Sequence, residues 1–268
     1  HADFLPPDRH AFKYDEVLIP TPPTPLSQPA LFTDPPMWVR NQSNSRHGVE
    51  FAYYTGVDMK KYYRRYCEAL LAVDDSVGRL LGNLEKSGEL EDTVILYLGD
   101  NGFIFGEHGL IDKRCAYDES IRIPMLMRYP KSLKPGTKVE KIVANIDVAP
   151  TLLEVAGLKS KERMDGESFW QLAKGKGSSD WRKYLLYEYY WERNYPQTPT
   201  NHAVIGEDYK YIRYHGVWDQ DELYHTKSDP KERKNLFNDS SQKSRITEMN
   251  KALFDLLADS SGENMPLL

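Results

Sequence analysis

The strongest constraint on the fold is an apolar run, residues 93–99, that ends directly on Asp100-Asn101-Gly102. Nearly every position of this run is apolar, which is typical of a strand covered by helices on both faces of a parallel sheet. A second apolar run, residues 122–130, predicts another short buried strand. Ligands of open α/β sheets bind beyond the carboxyl ends of the strands, so Asp100 and Asn101 lie where a site is expected.

Two helical patterns surround these strands. Residues 58–87 carry apolar side chains at steps of three and four, with Asp58 as a plausible N-cap and Gly88 as the stop. Residues 145–158 predict a second helix, with Asp147 near its start and Gly157 past its end. The proline-rich stretch 20–36 predicts an extended surface connection. Helices that alternate with buried strands indicate an α/β layer sandwich.

The composition changes after Leu158. Short tyrosine-rich segments separated by Gly, Pro and Asp predict antiparallel strands, and residues 240–260 predict a closing amphipathic helix. We therefore place a boundary near residue 160, between an α/β part (1–160) and a small α+β subdomain (161–268). We interpret the run "YLLYEYYWERNY" as core rather than as a sugar-stacking surface, because aromatic stripes on strands usually pack inside.

Charge and composition exclude several classes of function. The 268 residues carry 35 basic and 40 acidic side chains mixed along the chain, so no basic block suggests a nucleic-acid partner. We expect no membrane span and no signal peptide, since no segment approaches roughly 18 to 20 apolar residues. The two cysteines lie in no CxxC or Cys/His cluster, so a structural zinc is not expected. Neither they nor the sequons at Asn41 and Asn238 decide the compartment.

The residues after the first strand, Asp100-Asn101-Gly102, fit either a metal site or a turn. Asp100 and Asn101 offer the hard oxygen donors that Ca²⁺ or Mg²⁺ prefers, although Asp-Asn-Gly is also a common turn signal. Lys113 follows a segment rich in glycine, which leaves the backbone free to fold back over the strand end. A bound metal together with an ammonium group would form an anion site.

The stretch "LYLGDNGFIFGEHGLIDKRCAYDESIRIPMLMRYP", followed by "VANIDVAPTLLEVAGL", resembles the carboxyl-terminal half of the type I sulfatases of the alkaline-phosphatase superfamily. It is most similar to the carbohydrate sulfatases that act on N-acetylglucosamine 6-sulfate. The stretch "YKYIRYHGVWDQDELYHTKSDPKERKNLF" resembles the closing sheet of that family. The resemblance implies a partial alkaline-phosphatase-like layer sandwich and a periplasmic, secreted or lysosomal location.

The resemblance also implies roles for individual residues. Asp100 and Asn101 match the late pair of calcium ligands, and Lys113 matches the lysine that contacts the sulfate and its bridging oxygen. His1, in "HADFLPPDRH", matches a histidine that hydrogen-bonds the sulfate ester and helps protonate the leaving alcohol. His108 and His202 are candidate substrate contacts, with structural packing as the open alternative for His202.

The family's nucleophile is a formylglycine made from a Cys/Ser-x-Pro/Ala-x-Arg signature, which this sequence lacks. Neither Cys67 nor Cys115 lies in such a signature, and the early aspartate pair of the calcium site is also absent. We therefore predict the later part of a sulfatase, cut shortly before His1 and inactive alone. Its expected cofactors are Ca²⁺, with Mg²⁺ as the alternative, and a formylglycine in the N-terminal remainder.

The expected partners are that N-terminal remainder and a sulfated carbohydrate of the glycosaminoglycan or mucin type. Two other functions stay open. One is a phosphatase, phosphodiesterase or phosphonate hydrolase of the same superfamily, in which two metals usually bind additional Asp and His ligands. The other is a non-catalytic glycan-binding or structural subunit.

Overall fold

The computed structural model describes residues 4–42, 58–177, 179–216 and 219–260. The helices in these ranges are α1 (Met37–Gln42), α2 (Met59–Ser87), α3 (Asp118–Ile121), α4 (Val148–Val155), α5 (Trp170–Ala173) and α6 (Lys243–Asp259). The strands are β1 (Ile95–Leu98), β2 (Ile104–Phe105), β3 (Ile111–Asp112), β4 (Met125–Arg128), β5 (Leu185–Tyr189), β6 (Thr200–Ile205), β7 (Lys210–His215) and β8 (Glu222–Tyr224).

The long helix α2 lies where the periodic pattern predicts it. The Asp58 carboxylate accepts the backbone N–H groups of Lys60 (2.9 Å) and Lys61 (3.1 Å), and Gly88 ends the helix at φ 76°. Such a cap contributes about 1 kcal/mol, because it satisfies donors that the first turn leaves without partners. The helix predicted between Asp147 and Gly157 also forms, as α4.

The two apolar runs form β1 and β4, but the prediction of a parallel arrangement is wrong. The strands pair antiparallel, with Ile95 opposite Arg128 and Leu98 opposite Met125. Tyr97 is 37% exposed, so the outer face of this pair is only partly covered by the described residues. An apolar run indicates that a strand is covered but does not indicate its direction, which depends on the path of the connection.

The predicted antiparallel sheet of the subdomain is confirmed, in the order β5-β6-β7-β8. One face packs against α6 through Val204, Tyr211, Leu223, Met249, Leu253 and Leu257. The other face shares a second apolar cluster with the first part of the chain, whose members include Trp38, Ile104, Leu110, Tyr117, Ala203, Ile212 and Tyr214. This cluster has members on both sides of residue 160, so the two parts are held together by a common core. The boundary itself stays a prediction.

The aromatic run in β5 is core only in part. Tyr187 packs against the shared cluster and Tyr184 against the α6 side. Tyr190 and Trp191, which follow the strand, are 48% and 52% exposed. The interpretation of the whole run as core is therefore wrong at its carboxyl end, where the sheet stops covering successive side chains.

The proline-rich segment reaches the subdomain. Its Thr33 pairs with Lys234 in a single parallel bridge, and the Asp219 carboxylate accepts the N–H groups of Met37 (3.0 Å) and Trp38 (2.8 Å). The connection is thus tied down rather than free on the surface. None of the helices in the described ranges is both long and apolar enough to cross a bilayer.

Candidate anion and metal site

The end of β1 presents the predicted oxygen donors. Asp100 and Asn101 are exposed, and the Asn101 N–H donates to Asp100 Oδ1 at 2.9 Å. Gly102 N–H donates to the carbonyl of Ser120 in α3 at 2.8 Å. A Cβ atom on Gly102 would lie 2.2 Å from the Glu119 carbonyl oxygen, so only glycine fits here. The glycine of Asp-Asn-Gly therefore serves a close approach to α3 rather than a hairpin turn.

The chain then reverses and brings Lys113 to the strand end. Strands β2 and β3 form a short hairpin, and Gly106 (φ 115°) and Gly109 (φ 79°) take backbone conformations that favour glycine. Lys113 Nζ donates to Asn101 Oδ1 at 3.0 Å. The structure thus places the ammonium against Asn101, one of the two candidate metal ligands, as the glycine-rich spacing predicts.

The residue before Lys113 has a strained backbone. Asp112 has φ 123°, a conformation that a non-glycine residue rarely adopts and that costs on the order of 1 to 3 kcal/mol. Its carboxylate pairs with Arg114. Such strain persists only where the surroundings fix it, and it concentrates at functional sites.

Arg114 is a residue of this region that sequence reasoning missed. Its Nε donates to Glu192 Oε1 at 3.1 Å, and its guanidinium lies 3.2 Å from the centroid of the Tyr195 ring. Burial opposes the charged form, but Asp112 and Glu192 outweigh it and raise the pKa of Arg114. The only sign of Arg114 in the sequence was its position next to Lys113, because Glu192 and Tyr195 come from a distant loop.

Of the three predicted histidines, His108 and His202 lie in the described residues, and the two have different surroundings. His1 lies outside the described residues. His108 is buried, and its ring stacks on Tyr117 with centroids 3.8 Å apart and an angle of 5°. This side chain is buried against protein, and its substrate role stays a prediction.

His202 lies in β6, opposite Arg213 in β7, on the face that also carries Val204 and packs against α6. Its neighbour Asn201 faces the other way and donates to the Arg114 carbonyl at 3.4 Å. The imidazole is fully buried, and burial together with His215 lowers the pKa of His202 to about 4. His202 is therefore a neutral side chain on the opposite face from Arg114, and its sugar contact stays a prediction.

The cysteines are unsuited to nucleophilic chemistry. Both thiols are free, and burial raises the pKa of Cys67 and raises that of Cys115 to about 12. The thiolate is the reactive form of cysteine, so both side chains are inert at neutral pH.

The oxygen donors fit a hard cation in part. Asp100 supplies a carboxylate and Asn101 an amide oxygen, whereas Ca²⁺ takes 6 to 8 oxygen ligands. Within the described ranges, no group of three or more His, Cys, Asp or Glu side chains could hold a metal. These two residues therefore fit part of a ligand set, and further ligands would have to come from elsewhere.

Comparison with known proteins gives the family. One family model, "Sulfatase", matches residues 21–158, and a second, "N-sulphoglucosamine sulphohydrolase, C-terminal", matches residues 106–259. The chain belongs to the sulfatase family.

Similar proteins extend this result. An N-acetylglucosamine-6-O-sulfatase of Bacteroides thetaiotaomicron is 36% identical over 239 residues, which cover 84% of this chain and 42% of that protein. A solved protein in complex with its substrate, D-glucosamine-2-N,6-O-disulfate, superposes with a TM-score of 0.86 at 26% identity. That superposition covers 99% of this chain and 65% of the other.

A phosphonate monoester hydrolase from Silicibacter pomeroyi shares the fold alone. It superposes with a TM-score of 0.76 at 18% identity, over 99% of this chain and 56% of its own. These neighbours confirm the predicted alkaline-phosphatase-like α/β class. The chain spans about two fifths of the length of the Bacteroides relative.

Proposed function

We propose that this chain forms the later part of a carbohydrate sulfatase that hydrolyses a sulfate ester of a glucosamine-type sugar. The observation that carries the proposal is the 3.0 Å contact between Lys113 Nζ and Asn101 Oδ1 at the end of β1. It puts an ammonium and two hard oxygen donors at one edge of a fold shared with sulfatases. The sugar class is supported by the names of the similar proteins.

In this proposal Lys113 binds the sulfate and neutralises charge that develops on its oxygens in the transition state. Asp100 and Asn101 would hold a Ca²⁺ ion, with Mg²⁺ as the alternative, and such an ion supplies Lewis-acid polarisation of the sulfuryl oxygens. Arg114, which is fixed by Asp112 and Glu192 and follows Lys113 directly, would orient the sugar.

His1 would act as the acid that protonates the leaving alcohol. Phe4, three residues further on, packs against Tyr62 (4.8 Å between ring centroids), Tyr66 (5.0 Å) and Phe103 (6.0 Å). Phe103 follows Asn101 by two residues, so the segment that begins at Phe4 is anchored beside the candidate site.

We infer that the nucleophile, a formylglycine, and the other metal ligands belong to an N-terminal part of the same protein. The purified 268-residue chain should then release no sulfate from N-acetylglucosamine 6-sulfate. Turnover by this chain alone would refute that inference. A periplasmic, secreted or lysosomal location agrees with this substrate class.

The direct test joins this chain to the part of the Bacteroides relative that it does not match and measures sulfate release. Lys113→Met should lower the rate by about 10² to 10³, the usual effect of removing one such donor. The control is Lys131→Met, at an exposed lysine paired with Asp92, which should retain parental activity. Equal rates for Lys113→Met and the parent would contradict the proposal.

A metal titration separates the rival in the same superfamily. The phosphonate hydrolase neighbour keeps that rival open, although its identity is too low to show more than the fold. One calcium per active chimera would favour the sulfatase, and two zinc or manganese ions would favour the rival. Retention on a glycan column that is independent of Lys113 would instead indicate a binding subunit.

A further inference from the structure

Helix α3 lies between the candidate site and the subdomain. It contacts the two segments that form the site, which are the end of β1 and the loop that leads to Lys113. The first segment is the end of β1, where Gly102 N–H donates to the Ser120 carbonyl at 2.8 Å. The missing Cβ of Gly102 is what allows this approach, since the Glu119 carbonyl would lie 2.2 Å from it. The strand end that carries Asp100 and Asn101 is therefore pressed directly onto α3.

The second segment is the loop that leads to Lys113. His108 in this loop has φ 57° and is 4% exposed, enclosed by Tyr117 and Phe32. Its Nε2 lies 3.7 Å from Glu119 Oε2, a distance at which a protonated imidazole forms an ion pair but which is too long for a hydrogen bond. Burial alone would raise the pKa of Glu119, but His108 and Lys231 lower it to about 2. The carboxylate of Glu119 is thus ionised and directed at the loop.

The far side of α3 is fixed by buried charges of the subdomain. Lys210 Nζ lies 2.5 Å from Asp118 Oδ1 and 2.6 Å from Glu232 Oε1, and Glu232 Oε2 accepts the Asp118 N–H at 2.7 Å. Lys210 and Glu232 are 0% and 1% exposed. Removing one partner of a buried pair is strongly destabilising, so α3 has little freedom to move.

We propose that Glu119 and His108 are positioning residues, which hold the loop so that Lys113 faces Asn101. This inference rests on the proposed function, since the placement of Lys113 matters to the reaction only if it meets the sulfate. In this proposal His108 supports the loop from its buried side and does not contact the substrate. The subdomain takes part in the site through Lys210 and Glu232, which support the helix that carries Glu119.

The test compares hydrogen exchange of peptides that cover residues 102–113 in the parent chain and in two variants. Glu119→Gln removes the charge and keeps the shape. His108→Asn removes the stacked ring and keeps a residue that tolerates the left-handed backbone. Each variant should raise exchange in this segment about tenfold, while β6, β7 and α6 stay within twofold of the parent.

Controls separate local positioning from general weakening of the fold. Glu248→Gln removes a partner of an exposed lysine, Lys183, and should leave exchange in residues 102–113 within twofold. Glu119→Asp keeps the charge and should give an intermediate value. In the active chimera, Glu119→Gln should lower kcat/KM about tenfold, and Glu119→Asp should recover part of that loss.

The positioning role is refuted if residues 102–113 exchange at the parental rate in Glu119→Gln, or if exchange rises equally throughout the chain. Lys113→Met should leave the exchange within twofold while it lowers the rate of sulfate release by about 10² to 10³. If Lys113→Met keeps the parental rate, the proposed function fails regardless of the exchange results. If only the exchange test fails, the sulfatase proposal stands and the positioning pair does not.

Discussion

Glu222 should make the stability of this protein fall as the pH rises, and the variant Glu222→Gln should remove that dependence. The side chain is fully buried at the start of β8, where its carboxyl group accepts hydrogen bonds from Tyr117 (2.8 Å), Tyr214 and Tyr224. Burial raises the pKa of Glu222 from 4.5 to about 7, although the three hydroxyl groups oppose the shift.

The size and sign of the effect follow from that shift. Below pH 4.5 the carboxyl is neutral in both the folded and the unfolded chain, so ionisation contributes nothing. Between pH 4.5 and about 7 the unfolded chain releases its proton while the folded chain keeps it, and folding becomes less favourable. A shift from 4.5 to about 7 corresponds to roughly 3 kcal/mol, and above pH 7 the loss stays constant.

The assay is urea unfolding of the parent and of Glu222→Gln from pH 4 to pH 8, followed by far-ultraviolet circular dichroism. The difference between the two free energies of unfolding isolates Glu222, because other titrating groups are common to both. The variant should gain roughly 3 kcal/mol on the parent across this range. Tyr117→Phe removes one hydrogen bond that lowers the pKa of Glu222, so the stability of this variant should keep falling to a higher pH than that of the parent. A flat difference, or one of the opposite sign, would refute the reasoning.

Two further changes test the packing of the site and the subdomain. Gly102→Ala should cost about 1 to 3 kcal/mol or more in urea unfolding, because its Cβ would lie 2.2 Å from the Glu119 carbonyl; a cost below 0.5 kcal/mol would contradict that contact. His202 has a pKa lowered to about 4 by burial and His215, so its protonation on unfolding should reduce stability as the pH falls from 6.5 to 4. His202→Gln should lose less stability than the parent over that interval, and equal losses would show that His202 protonates in the folded chain.

The three longer helices, α2, α4 and α6, and the antiparallel sheet were predictable because their signals are local. Asp58 and Gly88 mark the ends of α2 by side-chain capping and by a left-handed backbone, which require only adjacent residues. The short strands of the subdomain likewise follow from tyrosine-rich segments between turn residues. The direction of β1 relative to β4 was not predictable, since it depends on how the intervening loop returns.

Only those residues of the candidate site that lie close together in the sequence could be predicted. Asp100, Asn101 and Lys113 lie in one continuous stretch, so a glycine-rich loop was enough to suggest their approach. The support from Glu192 and Lys210 could not be inferred, because these residues contact the site across 78 and 92 positions of sequence. The burial of His108 and His202 also depends on such distant contacts, and no spacing pattern indicates it.

The bond from Tyr117 to Glu222 joins residues 105 positions apart, and it has a consequence for the order of synthesis. A ribosome completes the loop that leads to Lys113 long before it makes β8, so the nascent chain exposes Tyr117 and Asp118 without their partners. The loop would reach its final geometry only when the last strands emerge. A chain arrested before Glu222 should therefore be recognised by chaperones and degraded, even though Asp100, Asn101 and Lys113 of the candidate site have already been made.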